Sequence, residues 1–285
     1  MTVPAPTMAP ARVATALSVL MCRPTHFTVS YSINPWMDPS RATDTARAIA
    51  QWEALRETYL DLGFDVALID PLPGLPDMVF AANGGLVVDG LAYTASFVHP
   101  ERQPEAPAYE RWFDAAGLRV ARATTLNEGE GDFLVVGDTI LAGTGFRSTT
   151  GAHAELAGLV RHEVVPLTLV RPDFYHLDTA LAVLDARPGR EEVAYLPSAF
   201  DDASLAELRR RFPDAIEASE EDAAAFALNA VSDGLHVVTA ADATRFHAQL
   251  TARGFVPVGV ALDELRLAGG GAKCCTLEVR RERSA

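Results

Sequence analysis

The chain repeats one pattern five times: an amphipathic helix followed by a short apolar strand. In the first repeat, Trp52, Leu55 and Tyr59 recur at three- and four-residue spacing, which is one face of a helix. The predicted helices end near Gly63, Gly117, Arg161, Phe212 and Gly254. A supersecondary unit that recurs every roughly 40 to 55 residues predicts a ring of like modules rather than an irregular domain.

Hairpins are predicted between these helices. Residues 86–88 and 91–93 are apolar and are joined by Asp89-Gly90, a dipeptide typical of tight turns. Similar hairpins are predicted at 133–141, 180–196 and 230–238, and the one at 180–196 is the least regular. The N-terminal strand at 15–21 and the last strand at 275–279 have no hairpin partner. We expect these two ends of the chain to pair, complete the fifth module and close the ring.

The alternation of helix and strand would also suit an open α/β sheet. Two features argue against that alternative. Purely parallel sheets do not contain hairpins, whereas this chain has them in most repeats. In addition, no G-x-G-x-x-G motif follows the first strand. We therefore predict a single closed α/β domain at residues 14–285, preceded by a flexible tail, rich in Pro and Ala, at residues 1–13.

The composition excludes several classes of partner. With 285 residues, 49% of them hydrophobic, the chain can bury a large core. A net charge of −14 argues against a nucleic-acid partner. No apolar run approaches the roughly 20 residues that span a bilayer, and the first residues do not resemble a signal peptide. We expect a cytoplasmic protein that has no membrane partner; the sequence leaves open whether it forms a homo-oligomer.

The three cysteines are Cys22, Cys274 and Cys275. An odd number, with two adjacent, is not typical of a disulfide framework. No Cys/His cluster has the spacing of a zinc site, so no metal is predicted.

Polar or reactive residues stand at the entrance of every predicted hairpin. They are Asn83, Glu128 with Asp132, His176 with Asp178, Asn229 and Cys274. Burying an unpaired polar group costs about 1–3 kcal/mol, so such residues are not expected beside apolar strands unless they have partners. Their recurrence at one position of the repeat favours a shared polar pocket at the centre of the ring.

The residue types in this set suit one kind of chemistry. A cysteine thiolate can attack an electrophilic carbon, and His176 can protonate a leaving amine and then activate water. Glu128 and Asp178 can bind a planar cation through paired hydrogen bonds. The set therefore predicts a guanidinium substrate. Taken singly, each feature has a structural reading: a buried histidine, inert cysteines, a solvated acidic turn, or a flexible loop at Gly269-Gly270-Gly271.

With these motifs the chain resembles the amidinotransferase, or pentein, superfamily of guanidine-modifying enzymes. The resemblance covers nearly the whole chain. It rests on residues 76–83 (PDMVFAAN), 128–132 (EGEGD), 176–178 (HLD) and the glycine run that ends in Cys274. It implies a five-bladed α/β propeller. Residues 21–27 and 31–37 resemble the opening of the arginine dihydrolases, which convert arginine to ornithine, carbon dioxide and two ammonia.

The resemblance also implies roles for single residues. Cys274 would be the nucleophile, His176 the acid/base, Glu128 and Asp178 the guanidinium ligands, Asn83 a contact of the reacting group, Arg102 a ligand of the substrate carboxylate, Asn34 its neighbour, and Asp77 a residue of the pocket edge. No cofactor is implied.

Three departures from the superfamily pattern matter. Deiminases and dimethylargininases usually carry Asp where this chain has Asn83, and an amide suits a neutral ureido intermediate and a second hydrolysis. Ser96 replaces an arginine, which leaves carboxylate recognition to Arg102. Glu128 is one residue further from Asp132 than in the common motif, so Glu130 is an alternative for its role. Dimethylarginine hydrolysis, amidino transfer and arginine sensing without turnover remain alternative functions.

Overall fold

A computed structural model of the protein describes residues 11–281. Most of the predicted tail, residues 1–10, lies outside the described residues. Arg12, at its end, is held in place, since its Nη2 donates to Glu192 Oε2 at 2.6 Å and its guanidinium lies over the ring of Phe255 at 3.4 Å. No helix within residues 11–281 has both the length and the apolar character needed to cross a bilayer.

The described chain contains α-helices and short β-strands in regular alternation. The helices are α1 (Thr45–Asp61), α2 (Ala106–Ala115), α3 (Thr150–Ala157), α4 (Leu177–Ala180), α5 (Asp202–Arg211), α6 (Glu220–Ala224) and α7 (Thr244–Ala252). The strands are β1 (Ser18–Cys22), β2 (Asp65–Ile69), β3 (Gly85–Val88), β4 (Leu91–Thr94), β5 (Arg119–Ala121), β6 (Phe133–Val136), β7 (Thr139–Thr144), β8 (Glu163–Thr168), β9 (Leu181–Asp185), β10 (Glu192–Tyr195), β11 (Ile216–Glu217), β12 (Val231–Ser232), β13 (His236–Ala240), β14 (Val256–Val260) and β15 (Leu277–Glu278).

These strands form five three-stranded sheets of identical topology. In each sheet the first two strands are antiparallel, and a helix then leads to a third strand that is parallel to the second. The sheets are β3-β4-β5, β6-β7-β8, β9-β10-β11, β12-β13-β14 and β15-β1-β2. This arrangement confirms the predicted five-bladed α/β propeller and rules out one open sheet.

The two ends of the chain meet as predicted. Strand β1 pairs with β15 in antiparallel register, with Leu20 opposite Leu277. The fifth module is therefore assembled from both termini, and the strand that follows Cys274 is fixed by the N-terminal strand. Among the other modules, the sheet that follows His176 is the least regular, with a register shift between Glu192 and Val193.

The first helix shows how the local sequence specifies its structure. The side chain of Asp44 accepts a hydrogen bond from the N–H of Arg47, which caps the helix start. The face formed by Ala48, Trp52, Leu55 and Tyr59 is buried, as its spacing predicts. Gly63 follows the helix with φ +81°, a conformation that glycine adopts without steric cost, and it turns the chain into β2.

Short helical turns, instead of extended chain, precede several of the first strands. They lie at Ala81–Gly84, Gly129–Gly131 and α4, before β3, β6 and β9. A helical turn just before a strand interrupts the backbone hydrogen bonding of the sheet, and consecutive side chains of the turn point in different directions. These turns carry polar residues such as Asn83 and Asp178, while the strands that follow them remain apolar.

Candidate active site

The polar residues that enter the hairpins lie in contact with one another. The Asn83 amide lies 3.4 Å from the carbonyl of Glu128, and the Glu128 carboxylate contacts His176. Asp178 contacts Cys274. The carbonyl of Cys274 accepts a hydrogen bond from the N–H of Ala82 at 3.0 Å, and Ala82 belongs to the first module, as Asn83 does. These contacts link residues of four of the five modules.

Cys274 is buried between two polar side chains. Its Sγ donates to Asp178 Oδ2 at 3.3 Å and accepts from Asn229 Nδ2 at 3.1 Å. Asn229 also accepts from the backbone N–H of Cys274 through Oδ1 at 3.0 Å. Two bonds from one amide fix both the loop and the sulfur, so Asn229, a hairpin-entry residue without an assigned role, holds the predicted nucleophile in place.

The surroundings of Cys274 disfavour the thiolate in the free protein. Burial and the negative charge of Asp178 raise the pKa of Cys274 well above its ordinary value. Burial also raises the pKa of Asp178 to about 7, although its contact with the thiol and the charge of Lys273 lower it. A cation that bound beside Asp178 would lower the pKa of the Cys274 thiol, because a positive charge favours the thiolate.

We expect no thiolate in the free protein at pH 9. Burial raises the pKa of Cys22 to about 12 and raises that of Cys275 as well, so none of the three cysteines should ionise there. The measurement is the thiolate absorbance near 240 nm between pH 6 and 9, with Cys274→Ser as the control. A thiolate equivalent to one cysteine that appears near pH 7 and is lost in Cys274→Ser would contradict this picture.

His176 and Glu128 form a second buried pair. His176 Nε2 lies 2.8 Å from Glu128 Oε2. Burial alone would raise the pKa of Glu128, but the charge of Arg147 and the contact with His176 hold it well below its usual range. The other ring nitrogen of His176, Nδ1, is buried and has no partner within residues 11–281. An ionised Glu128 therefore orients the imidazole and leaves Nδ1 for a reacting group.

Arg147 is a site residue that the sequence analysis missed. Its Nη1 donates to both carboxylate oxygens of Glu128 at 3.2 and 2.9 Å, and its Nη2 donates to the carbonyl of Ile33 at 2.8 Å. Its guanidinium lies over the ring of Tyr175 at 4.5 Å. Arg147 follows the second strand of its module, outside the hairpin-entry positions, so the repeat gave no signal for it.

Glu130, the alternative to Glu128, lies in a different network. Its Oε2 accepts from Lys273 Nζ at 2.6 Å, and its carboxylate also pairs with Arg280. Lys273 and Arg280 both contact Glu278, at 3.0 and 2.6 Å. The structure thus places Glu128 with His176, and it places Glu130 in a buried ion-pair network against the strand that follows Cys274.

Arg102 is buried, and its guanidinium donates four hydrogen bonds within the protein. It makes a two-bond fork with Glu105, each bond 2.9 Å, and donates to Asn83 Oδ1 at 2.7 Å and to the carbonyl of Asp77 at 3.2 Å. A guanidinium has five N–H groups, so one is left without a partner within residues 11–281. The predicted contact of Arg102 with a substrate carboxylate would use that N–H or displace one of these bonds.

A segment at residues 31–36 covers the site. Tyr31 donates to Asp77 Oδ2 at 2.8 Å, and Asn34 Nδ2 donates to the carbonyl of Ala268 at 3.1 Å. Trp36 donates through Nε1 to the carbonyl of Asp173 at 2.8 Å. The roles of Asn34 and Asp77 towards a substrate stay predictions, and Asp77 keeps one buried carboxylate oxygen without a partner in the described chain.

The glycines before Cys274 allow close packing of the loop. A Cβ on Gly270 would lie 2.2 Å from the Phe80 ring, and one on Gly271 would lie 2.9 Å from Asn229 Oδ1. Close packing within the protein therefore requires glycine at these positions, whereas a flexible loop would not require it.

We expect Gly270→Ala to destabilise the protein by about 1–3 kcal/mol, because Phe80 and the nucleophile loop must move apart. Gly158→Ala is the matched control, since its Cβ would meet nothing closer than 3.4 Å at an ordinary helix end. Urea unfolding of both variants tests the difference. Equal stability of the two variants would contradict the close packing of this loop.

The charges and open hydrogen-bond positions of the site match a planar cation. Asp178 Oδ1, like the free oxygen of Asp77, is buried and has no partner in the described chain. Such acceptors require N–H donors. No group of three or more His, Cys, Asp or Glu residues within residues 11–281 is arranged to hold a metal ion.

Comparisons with known proteins agree with this chemistry. No family model matches the chain. It is 52% identical over 259 residues to a dimethylarginine dimethylaminohydrolase of Mycobacterium tuberculosis, covering 91% of this chain and 84% of that protein. It is 37% identical over 270 residues to the bifunctional arginine dihydrolase/ornithine cyclodeaminase ArgZ of Synechocystis, covering 92% of this chain and 38% of that protein.

A solved structure matches the fold over nearly the whole chain. It is a variant of the N-terminal domain of ArgZ, an arginine dihydrolase of cyanobacteria, bound to substrate, with a TM-score of 0.88 and 36% identity over 93% of this chain and 98% of that domain. Because these relatives match most of the chain and the solved structure shares its propeller, this protein belongs to the guanidine-modifying family that contains dimethylarginine dimethylaminohydrolase and arginine dihydrolase, within the pentein superfamily.

Proposed function

We propose that the protein hydrolyses the guanidino group of L-arginine or a close relative through a covalent adduct with Cys274. One observation carries the proposal: the Cys274 sulfur contacts Asp178, whose second carboxylate oxygen is buried and unpaired in the described chain. That oxygen accepts an N–H donor, so a guanidinium bound there brings its central carbon next to the sulfur.

Substrate binding activates the nucleophile. Glu128 and Asp178 bind the guanidinium, and Glu128 exchanges its contact with the Arg147 guanidinium for one with the substrate. The substrate cation lowers the pKa of the Cys274 thiol, which passes its proton to His176 and becomes the thiolate. Arg147, once released, and Asn34 are the groups near the covering segment that can bind the amino-acid end of the substrate.

The first hydrolysis follows from this geometry. The thiolate attacks the guanidino carbon, and His176 donates a proton to the leaving amine, so that ammonia or an alkylamine departs and a thiouronium adduct forms. Water deprotonated by His176 then attacks the adduct, the carbon–sulfur bond breaks, and a ureido product, citrulline in the case of arginine, is released.

Asn83 favours a second hydrolysis. The superfamily members that stop at citrulline usually carry an acid at this position, whereas an amide can donate to the neutral ureido oxygen. Arginine and two waters then give ornithine, carbon dioxide and two ammonia. The alternative, dimethylarginine hydrolysis to citrulline and dimethylamine, is favoured by the similarity to the mycobacterial relative of that name.

The experiment is to incubate the protein separately with arginine and with dimethylarginine and to separate the amino-acid products. Ornithine from arginine supports the dihydrolase reaction, and citrulline from dimethylarginine supports the alternative. A new guanidino product after addition of glycine would instead indicate amidino transfer. Tight arginine binding without turnover by the wild-type protein would overturn the proposal in favour of a sensing module.

We also propose that one catalytic domain extends over residues 14–285 and that the protein acts in the cytoplasm without a cofactor. Whether it forms a homo-oligomer is a question for light scattering.

A further inference from the structure

A buried ion pair lies directly behind Asn83. Glu105 is fully buried, and both of its carboxylate oxygens accept from Arg102, through Nε and Nη2. The pair stands at the start of α2, outside every motif that identified the site. Two parallel bonds in a buried setting fix the plane of a guanidinium, because rotation would break both of them.

That guanidinium also fixes the amide of Asn83. Arg102 Nη1 donates to Asn83 Oδ1 at 2.7 Å, so the carbonyl end of the amide points towards Arg102. The opposite end, Nδ2, has only a 3.4 Å contact with the carbonyl of Glu128. A flipped amide would place two N–H donors against a buried cation and would lose the hydrogen bond to that charged group.

The free end of the amide lies close to the acid/base. A Cβ built on Gly131 would lie 2.4 Å from Asn83 Nδ2 and 3.2 Å from the His176 ring, so both groups line the same small space. The amide therefore presents N–H donors, and not its oxygen, on the side of His176.

We propose that Glu105 is a positioning residue that acts through Arg102 to hold Asn83 as an N–H donor to the oxygen of the ureido intermediate. The inference rests on the proposed function and extends it to the second hydrolysis. In that step the thiolate attacks the ureido carbon, ammonia leaves with a proton from His176, and water releases a carbamate that decomposes to ornithine and carbon dioxide. Negative charge develops on the ureido oxygen during the attack, and a fixed N–H donor stabilises it.

The charge of Glu105 is needed as well as its shape. Arg102 is buried, and the carboxylate of Glu105 is the strongest of the influences that raise the pKa of Arg102 against its burial. Removing that charge leaves Arg102 to pair with Asp77 or Glu128, the other carboxylates that act on it. Either movement would take Nη1 away from Asn83 Oδ1 and free the amide to turn.

The test is the substitution Glu105→Gln, which keeps the volume and removes the charge and one acceptor. With arginine as substrate, we expect ornithine formation to fall at least tenfold and citrulline to accumulate, with a change in KM of less than threefold. Glu110→Gln is the matched control, because it lies on the same helix and breaks only an exposed pair with Arg122. It should retain the wild-type product ratio.

Arg102→Lys provides a second variant in case Glu105→Gln does not fold. A lysine keeps the charge but cannot make the fork and reach Asn83 together, so it should also release citrulline. An unchanged ratio of ornithine to citrulline in a folded variant would overturn this inference and leave guanidine hydrolysis intact. Citrulline as the sole wild-type product would also overturn this inference and leave guanidine hydrolysis intact. Absence of any guanidine turnover would overturn both the proposed function and this inference.

Discussion

Replacing Cys274 with serine should lower kcat for guanidino substrates by about 10³-fold or more, because the pKa of a serine hydroxyl lies far above that of a thiol and the bound cation cannot ionise it. The sulfur is held by Asp178 and Asn229 and lies in a loop that the glycine run packs against Phe80. The variant should still bind arginine, since the carboxylates that receive the cation are unchanged. Turnover assays and isothermal calorimetry measure the two properties.

Cys275→Ser is the matched control for this prediction. The neighbouring thiol is also buried but makes no hydrogen bond to Asp178 in the described chain. We expect its kcat to stay within about threefold of wild type when activity is measured on folded protein. An acid-quenched reaction of the wild type should also contain a covalent adduct on the peptide with Cys274. Full activity of Cys274→Ser would exclude the proposed nucleophile.

The second large effect is expected for Glu128→Gln. Glu128 orients His176, receives Arg147 in the free protein and is the proposed guanidinium ligand, so its neutralisation should lower kcat/KM by about 10³-fold. The remaining buried charge on Arg147 should also reduce the free energy of unfolding by about 3–5 kcal/mol. Steady-state kinetics and urea unfolding measure the two effects.

Glu130→Gln separates stability from catalysis. It removes the partner of Lys273 and Arg280 and should destabilise the protein by a similar amount, about 3–5 kcal/mol. Because Glu130 lies outside the contacts of His176, we expect kcat/KM of the folded variant to remain within about tenfold of wild type. If kcat/KM fell further in Glu130→Gln than in Glu128→Gln, the catalytic role would belong to Glu130 and not to Glu128.

Much of this site could be predicted from the sequence because the fold is a repeat. A residue that precedes a hairpin in one module has counterparts in the others, so Asn83, His176 and Cys274 could be grouped without coordinates. The pairing of β1 with β15 followed from the same periodicity. Where the repeat is irregular, prediction was weaker: the extra spacing in residues 128–132 left two glutamates as candidates.

The residues that were missed act through contacts that local sequence does not specify. Arg147 lies after β7, yet it reaches Glu128 and the carbonyl of Ile33, which is 114 positions away in the chain. The Glu105 fork was missed because a Glu three residues after an Arg near a helix start is usually a solvated pair. Only burial of both side chains distinguishes this pair from an exposed one.

The sequence by itself determined the modular architecture, the closure of the ring and the residue types that meet at its centre, since periodicity and hairpin turns are local properties. Only the tertiary structure decided how those residues share protons and charge. It placed Asp178 against the Cys274 thiol and Arg147 against Glu128, and it turned the amide of Asn83 towards Arg102. These arrangements depend on burial and on distances between modules, and neither quantity is encoded in any short stretch of the chain.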